Sequence, residues 1–202
     1  MHPCMKTPSY SFSFFLPLFC FTMISPISSA PSTKAVKEID FSKLSGTWYE
    51  IARFPNEHEK NMVNVTINIA IDNKKRKISI TTKGNKHHFG GESVSFKARG
   101  CLPDKRKPAQ LELKVFPFVS LDFSIIDIDT VNYHTFIASD DKGDCLWLFA
   151  RKPDIYPRTL TRMIQSAQNK GYKTNKLIRT PHRGTALVEQ SNPEKKVPFG
   201  DS

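Results

Sequence analysis

The sequence predicts an all-β fold, an eight-stranded up-and-down antiparallel β-barrel with a C-terminal α-helix packed on its outside. Three observations carry this expectation. Between Gly46 and Pro153, runs of roughly seven to eleven residues recur between turn signals, a spacing that fits sandwiches and barrels. Inside the runs the apolar residues alternate with period two and show no helical period. After Pro153 the period changes, and Leu160, Met163, Ile164 and Ala167 fall on one helical stripe.

The first run, GTWYEIARFP at residues 46–55, is apolar yet carries Glu50 and Arg53. The second is the clearest: Val65, Ile67, Ile69 and Ile71 alternate with Thr66, Asn68 and Ala70. A basic turn, Asn73-Lys74-Lys75-Arg76, leads to Ile78, Ile80 and Thr82 alternating with Ser79 and Thr81. Further runs follow around Val94-Phe96-Ala98, Leu111-Leu113-Val115, Phe123-Ile125, Tyr133–Ser139 and Cys145–Arg151. Every connection is short enough for a hairpin, so neighbours in sequence are neighbours in the sheet. Closure removes the exposed edges of so apolar a sheet, and a barrel of this size can hold one small ligand. Pro157 suits the first turn of the helix and Gly171 its end. The Leu177-Ile178 pair allows one more short strand.

The two ends have other jobs. Residues 1–30 carry a single charged side chain, Lys6, then an apolar run and Ser25, Ser28, Ser29 and Ala30. This is the order of a secretory signal peptide, which implies export to a periplasm, cell envelope or extracellular space. Cys20 raises lipid anchoring as a rival, but Phe19 stands where such sites carry a small residue. Residues 31–37 read as a linker and 183–202 as a polar tail. Removing 1–30 takes one lysine and no acid, which lowers the net charge from +11 to +10. Such a surface is either solvated or meets an anionic membrane or polyanion.

Several function classes find no support in the motifs. No nucleic-acid signature organises the basic residues, so no nucleic-acid partner is expected. No Ser-His-Asp order, glycine-rich phosphate loop or paired-carboxylate motif is legible. His87-His88 point apart on an extended chain and have no evident third ligand. No catalytic residue, metal or cofactor is expected.

Three patches of sequence resemble the lipocalins, in particular the branch of bacterial outer-membrane lipocalins and apolipoprotein D. They are the opening Gly46-Thr47-Trp48-Tyr49-Glu50-Ile51-Ala52, the stretch Leu146–Pro153 before the helix, and Asp129 of a middle signature. Ile128 and Thr130 depart from that middle signature. The resemblance covers residues 38–182, taken as the domain, and implies a cup for a small lipophile such as a fatty acid or lysophospholipid. It also orients the barrel. Trp48 would plug the floor, Gly46 would let the backbone pass beneath it, and Arg151 would stack on the indole.

Counting by twos from Trp48 places Glu50 and Ala52 inside and Tyr49, Ile51 and Arg53 outside. The same count gives a lining of Val65, Ile67, Ile69, Ile71, Ile78, Ile80, Phe96, Leu111, Leu113, Val115, Phe123, Ile125, Trp147 and Phe149. These side chains either fill the barrel or line a cup suited to an acyl chain, with a head group near loops 55–62, 84–92, 116–122 and 139–145. Glu50 is a carboxylate near a solvated mouth or at a bulge, or an inward one that is hydrogen-bonded or paired. Cys101 and Cys145 belong to opposite ends, too far apart for a disulfide. Cys145 falls on the inward phase near the mouth, which leaves an enzyme with a pocket thiol as an alternative. The basic turns Lys74–Lys77 and Lys105–Lys107 share the closed end, so an anionic membrane surface is a second partner class. The expected state is a monomer or weak dimer.

Overall fold

The computed structural model describes residues 31–103, 109–115 and 119–185. Residues 1–30, read above as a signal peptide, Lys105 to Lys107 and residues 186–202 lie outside them. In chain order the strands are β1 (Gly46–Arg53), β2 (Met62–Asp72), β3 (Lys77–Lys86), β4 (Ser93–Cys101), β5 (Gln110–Val115), β6 (Val119–Ile128), β7 (Thr135–Asp140), β8 (Leu146–Ala150) and β9 (Ile178–Arg179). Helix α1 spans Pro157–Asn169. Each of β1 to β7 pairs antiparallel with the strand after it, and β1 also pairs with β8, which closes the barrel.

The register follows the apolar alternation. Ile69 lies opposite Ile80 and Ile71 opposite Ile78, while Leu111 faces Phe123. A slip of one residue would turn every one of these side chains towards water. Inside the barrel Ile67, Ile69, Ile78, Ile80, Leu111, Leu113, Phe123, Ile125 and Phe149 pack as one core with Trp48 and Phe136. A second core lies on the outer wall. There Met163, Ile164 and Ala167 of α1 cover Ile126, Ile137, Leu146 and Leu148, with Leu160 at the margin. The helix begins at Pro157 as N1, and Gly171 follows it at φ +87°.

Two irregularities reshape the mouth. A bulge interrupts the β1–β8 ladder between Glu50 and Ala52, where Ile51 and Ala52 break the alternation. A second one interrupts β2–β3 between Val63 and Thr66, with Asn64 in the left-handed region at φ +57°. Bulges bend and twist the strand that carries them. The β1–β2 ladder runs only from Gly46 to Tyr49, and the chain from β9 fills the gap above it. Thr180 N donates to Ile51 O on one side, and Asn64 N donates to Pro181 O on the other. The expected short strand therefore completes the barrel wall. Tyr133, taken from sequence as part of a strand, instead occupies the turn before β7 at φ +53°.

Candidate ligand site at the barrel mouth

The floor is sealed by aromatic packing. Trp48 is fully buried, and its Nε1 donates to Leu44 O at 2.8 Å. Phe136 meets its ring edge-on with centroids 4.6 Å apart, and Phe149 stacks on Phe136 at 4.8 Å. The guanidinium carbon of Arg151 lies 3.8 Å from the Trp48 ring centroid. Its nitrogens donate to Thr47 O at 3.1 Å and Lys43 O at 2.6 Å. Gly46 has φ +101°, and a Cβ there would come 3.3 Å from Arg151 Nη1. Close approach and positive φ both favour glycine. Asp129 serves the same end: its carboxylate accepts the N–H groups of Val131, Asn132 and His134. Burial pushes its pKa up, yet these backbone donors outweigh burial and hold it below the ordinary value.

Higher in the barrel the inner wall loosens. Val94, Phe96, Ala98, Val115, Leu121 and Trp147 are half-buried, and the register places them on the inward phase. Phe96 lies opposite Thr82, Ala98 opposite Val115, and Leu113 opposite Leu121. Trp147 tilts over Phe123 with centroids 5.9 Å apart. Val65 is buried near the same end, and a Cβ at Gly84 would meet Met62 Cε at 2.6 Å and Val65 Cγ2 at 3.2 Å. The missing side chain at Gly84 is what admits Met62.

A buried polar cluster closes one side of the mouth. Arg53 Nη1 donates to Glu50 Oε1 at 2.8 Å and to Thr180 Oγ1 at 3.0 Å. Arg53 Nη2 donates to Glu59 O, and the Thr180 hydroxyl donates to Glu50 Oε1. Glu59 Oε2 accepts from Trp147 Nε1 at 2.9 Å and from Asn56 Nδ2 at 2.7 Å, which folds the loop after β1 onto the rim. Glu50 and Arg53 are both 0% exposed. Among the described residues Glu50 Oε2 and Arg53 Nε have no hydrogen-bond partner. Burial, seconded by the charge of Glu59, pushes the Glu50 carboxyl up to about 7 against the opposing pull of Arg53 and Thr180.

Two expectations from sequence are corrected by the bulge. Ala52 does not line the interior; it lies opposite Leu148 and packs in the outer core beneath α1. Arg53 does not face outward; it lies opposite Trp147 on the inner side and is the partner that Glu50 requires. Nothing in the sequence marked Glu59 or Thr180. Cys101 and Cys145 are free thiols at opposite ends. Burial, then the charges of Asp140, Glu59 and Asp144, push the Cys145 thiol up to about 11. His87 and His88 are exposed in the β3–β4 turn, where His88 Nδ1 accepts from Gly90 N at 3.2 Å.

A model of the lipocalin-like domain matches residues 39–182. The chain belongs to the lipocalin family. Lipocalins bind small hydrophobic ligands. The chain is similar to the outer membrane lipoprotein Blc of Vibrio cholerae, at 24% identity over 80% of this chain and 94% of that protein. It is also similar to temperature-induced lipocalin-1 of Arabidopsis thaliana, at 27% over 80% and 89%, and to mouse apolipoprotein D, at 24% over 76% and 82%. Among solved structures, insecticyanin from the tobacco hornworm superposes with a TM-score of 0.61 at 16% identity, covering 77% of this lipocalin and 87% of that chain. A lobster apocrustacyanin gives 0.60 at 14%, over 78% and 92%.

Proposed function

We propose that this lipocalin is an exported carrier that holds a lipid, such as a fatty acid or lysophospholipid, by its acyl chain and performs no chemistry on it. The observation that carries the reading is the gradient of burial along the inner wall. Trp48 and Phe136 at the floor are sealed, whereas Phe96, Val115, Leu121 and Trp147 near the mouth keep part of their apolar surface open. Each methylene buried there contributes about 0.8 kcal/mol, so chain length governs affinity more than head-group chemistry. Of the lining counted from sequence, Phe96, Val115, Phe123 and Trp147 on the upper wall are the contacts we assign to the ligand, with Glu50, Arg53 and Glu59 nearest its polar end. Export through residues 1–30 to an envelope or extracellular space agrees with the envelope proteins among its relatives.

The reading as an enzyme is disfavoured by Cys145. A thiol pushed up to about 11 is almost wholly protonated at neutral pH, the reverse of an activated nucleophile. The test is displacement of a fluorescent fatty-acyl probe from delipidated protein, compared with Phe96→Asp. Saturable displacement by fatty acid or lysophospholipid, weakened at least tenfold by the substitution, is expected. Absence of probe binding by the wild-type chain would overturn the carrier reading.

A further inference from the structure

We infer that the outer face of β3, β4 and β5 is a docking surface for an anionic lipid bilayer. Alternate residues of a strand share one face, and here Lys83, Lys97, Arg99 and Lys114 stand on the outward phase among small hydroxyl side chains. Lys83 lies opposite Thr66 on one side and Ser95 on the other, Lys97 opposite Thr81, and Arg99 opposite Ser79. Arg99 also lies directly opposite Lys114, whose other neighbour is Ser120. All four cations are exposed, and among the described residues none forms an ion pair. Strands β3 and β4 contain no acidic residue at all.

Folding does not account for this arrangement. Like charges directly opposite each other on a sheet are unfavourable, and a strand face needs only polar residues to stay wet. Two exposed lysines next to the patch do find a carboxylate, Lys75 with Asp72 at 3.8 Å and Lys86 with Glu92 at 3.0 Å. The patch ends where Glu112 and Asp122 face each other across β5 and β6. At the closed end it continues into Lys74 and Arg76 of the β2–β3 turn, both exposed.

A bilayer fits this surface better than a nucleic acid. The outward residues of the three strands include no aromatic ring on which a base could stack, and the cations are spread over adjacent strands about 5 Å apart, not aligned along one groove. Lysine and arginine near an anionic leaflet each improve partitioning about fivefold. Docked this way, the chain would lie on its side. Strand β4 would then carry Lys97 and Arg99 towards the headgroups and the half-buried Val94 and Phe96 into the barrel. The inference stands apart from the carrier reading, because docking does not require a filled cavity.

Vesicle co-sedimentation tests it, using phosphatidylcholine with and without phosphatidylglycerol at about 0.05 M and about 0.5 M salt. Wild-type protein should bind only the anionic vesicles and only at low salt. The triple variant Lys83→Glu, Lys97→Glu, Arg99→Glu should bind at least tenfold more weakly. A control triple with the same change in charge, Lys142→Glu, Lys173→Glu, Lys176→Glu, should stay within threefold of wild type. Near-ultraviolet circular dichroism and acyl-probe binding report whether each variant is folded and loadable. Equal losses in both triples would overturn the inference in favour of net charge alone. Retention on heparin without any vesicle binding would overturn it in favour of a soluble polyanion.

Discussion

Arg53 donates a 2.8 Å hydrogen bond to Glu50 inside the barrel, although residues three apart on a regular strand point to opposite faces. The bulge at Ile51–Ala52 supplies the missing half-period. It turns Ala52 out to the helix and brings Arg53 back in, where the Glu59 carbonyl and the Thr180 hydroxyl complete its donors.

Removing either partner strands a buried charge. Arg53→Met and Glu50→Ala are each expected to cost about 3–5 kcal/mol, read as a lower urea midpoint. Glu50→Gln keeps an acceptor for Arg53 and should cost much less. A double substitution of Glu50 and Arg53 by apolar residues should be milder than the sum of the singles, because neither charge remains.

The mouth titrates in two opposed directions. Glu50 is raised from 4.5 to about 7, so between those values the folded chain holds more protons there than the unfolded one. Its contribution to stability therefore falls as pH rises through that window. His182, lowered by burial despite its bond to Glu50 O, behaves oppositely. The unfolded chain binds its proton first, and stability is lost as pH falls below 6.5. The two effects offset each other in the wild type. Urea midpoints across about pH 5 to 8 should show Glu50→Gln gaining on wild type as pH rises. His182→Gln should gain on it as pH falls.

At the floor, Arg151→Ala removes a cation 3.8 Å from the Trp48 ring and two bonds to backbone carbonyls. The expected loss is about 2–4 kcal/mol. Lysine should restore only part of it, since an ammonium lacks the flat face and fork of the guanidinium.

The outer core should separate stability from binding. Ile164→Ala and Met163→Ala, beneath the helix, are expected to cost about 2–5 kcal/mol each. Acyl-probe affinity of the folded variants should stay within threefold, because neither side chain faces the interior.

What the sequence disclosed depended on how regular each stretch is. Strands β2 and β3 alternate cleanly, and their isoleucines pack inside as the count by twos implies. The i, i+3, i+4, i+7 stripe placed α1 correctly, because one apolar face must find a wall. The count failed at Ala52 and Arg53, since a bulge shifts phase without changing composition. Thr180, His182 and Glu59 were out of reach for a different reason. They come to Glu50 and Arg53 through a late chain segment and a folded loop, and no local pattern records such long-range meetings. Sequence therefore presented Glu50 as an inward carboxylate in need of a partner, without naming Arg53.

The central claim is that an acyl chain lies against the open upper wall beside Trp147, above a sealed floor at Trp48. These are the only two tryptophans in the chain, so quenching by a brominated fatty acid tests the claim directly, with Trp147→Phe as the comparison. The expected result is saturable quenching in the wild-type protein that largely disappears in Trp147→Phe. Quenching that never saturates, or that survives undiminished in that variant, would contradict it.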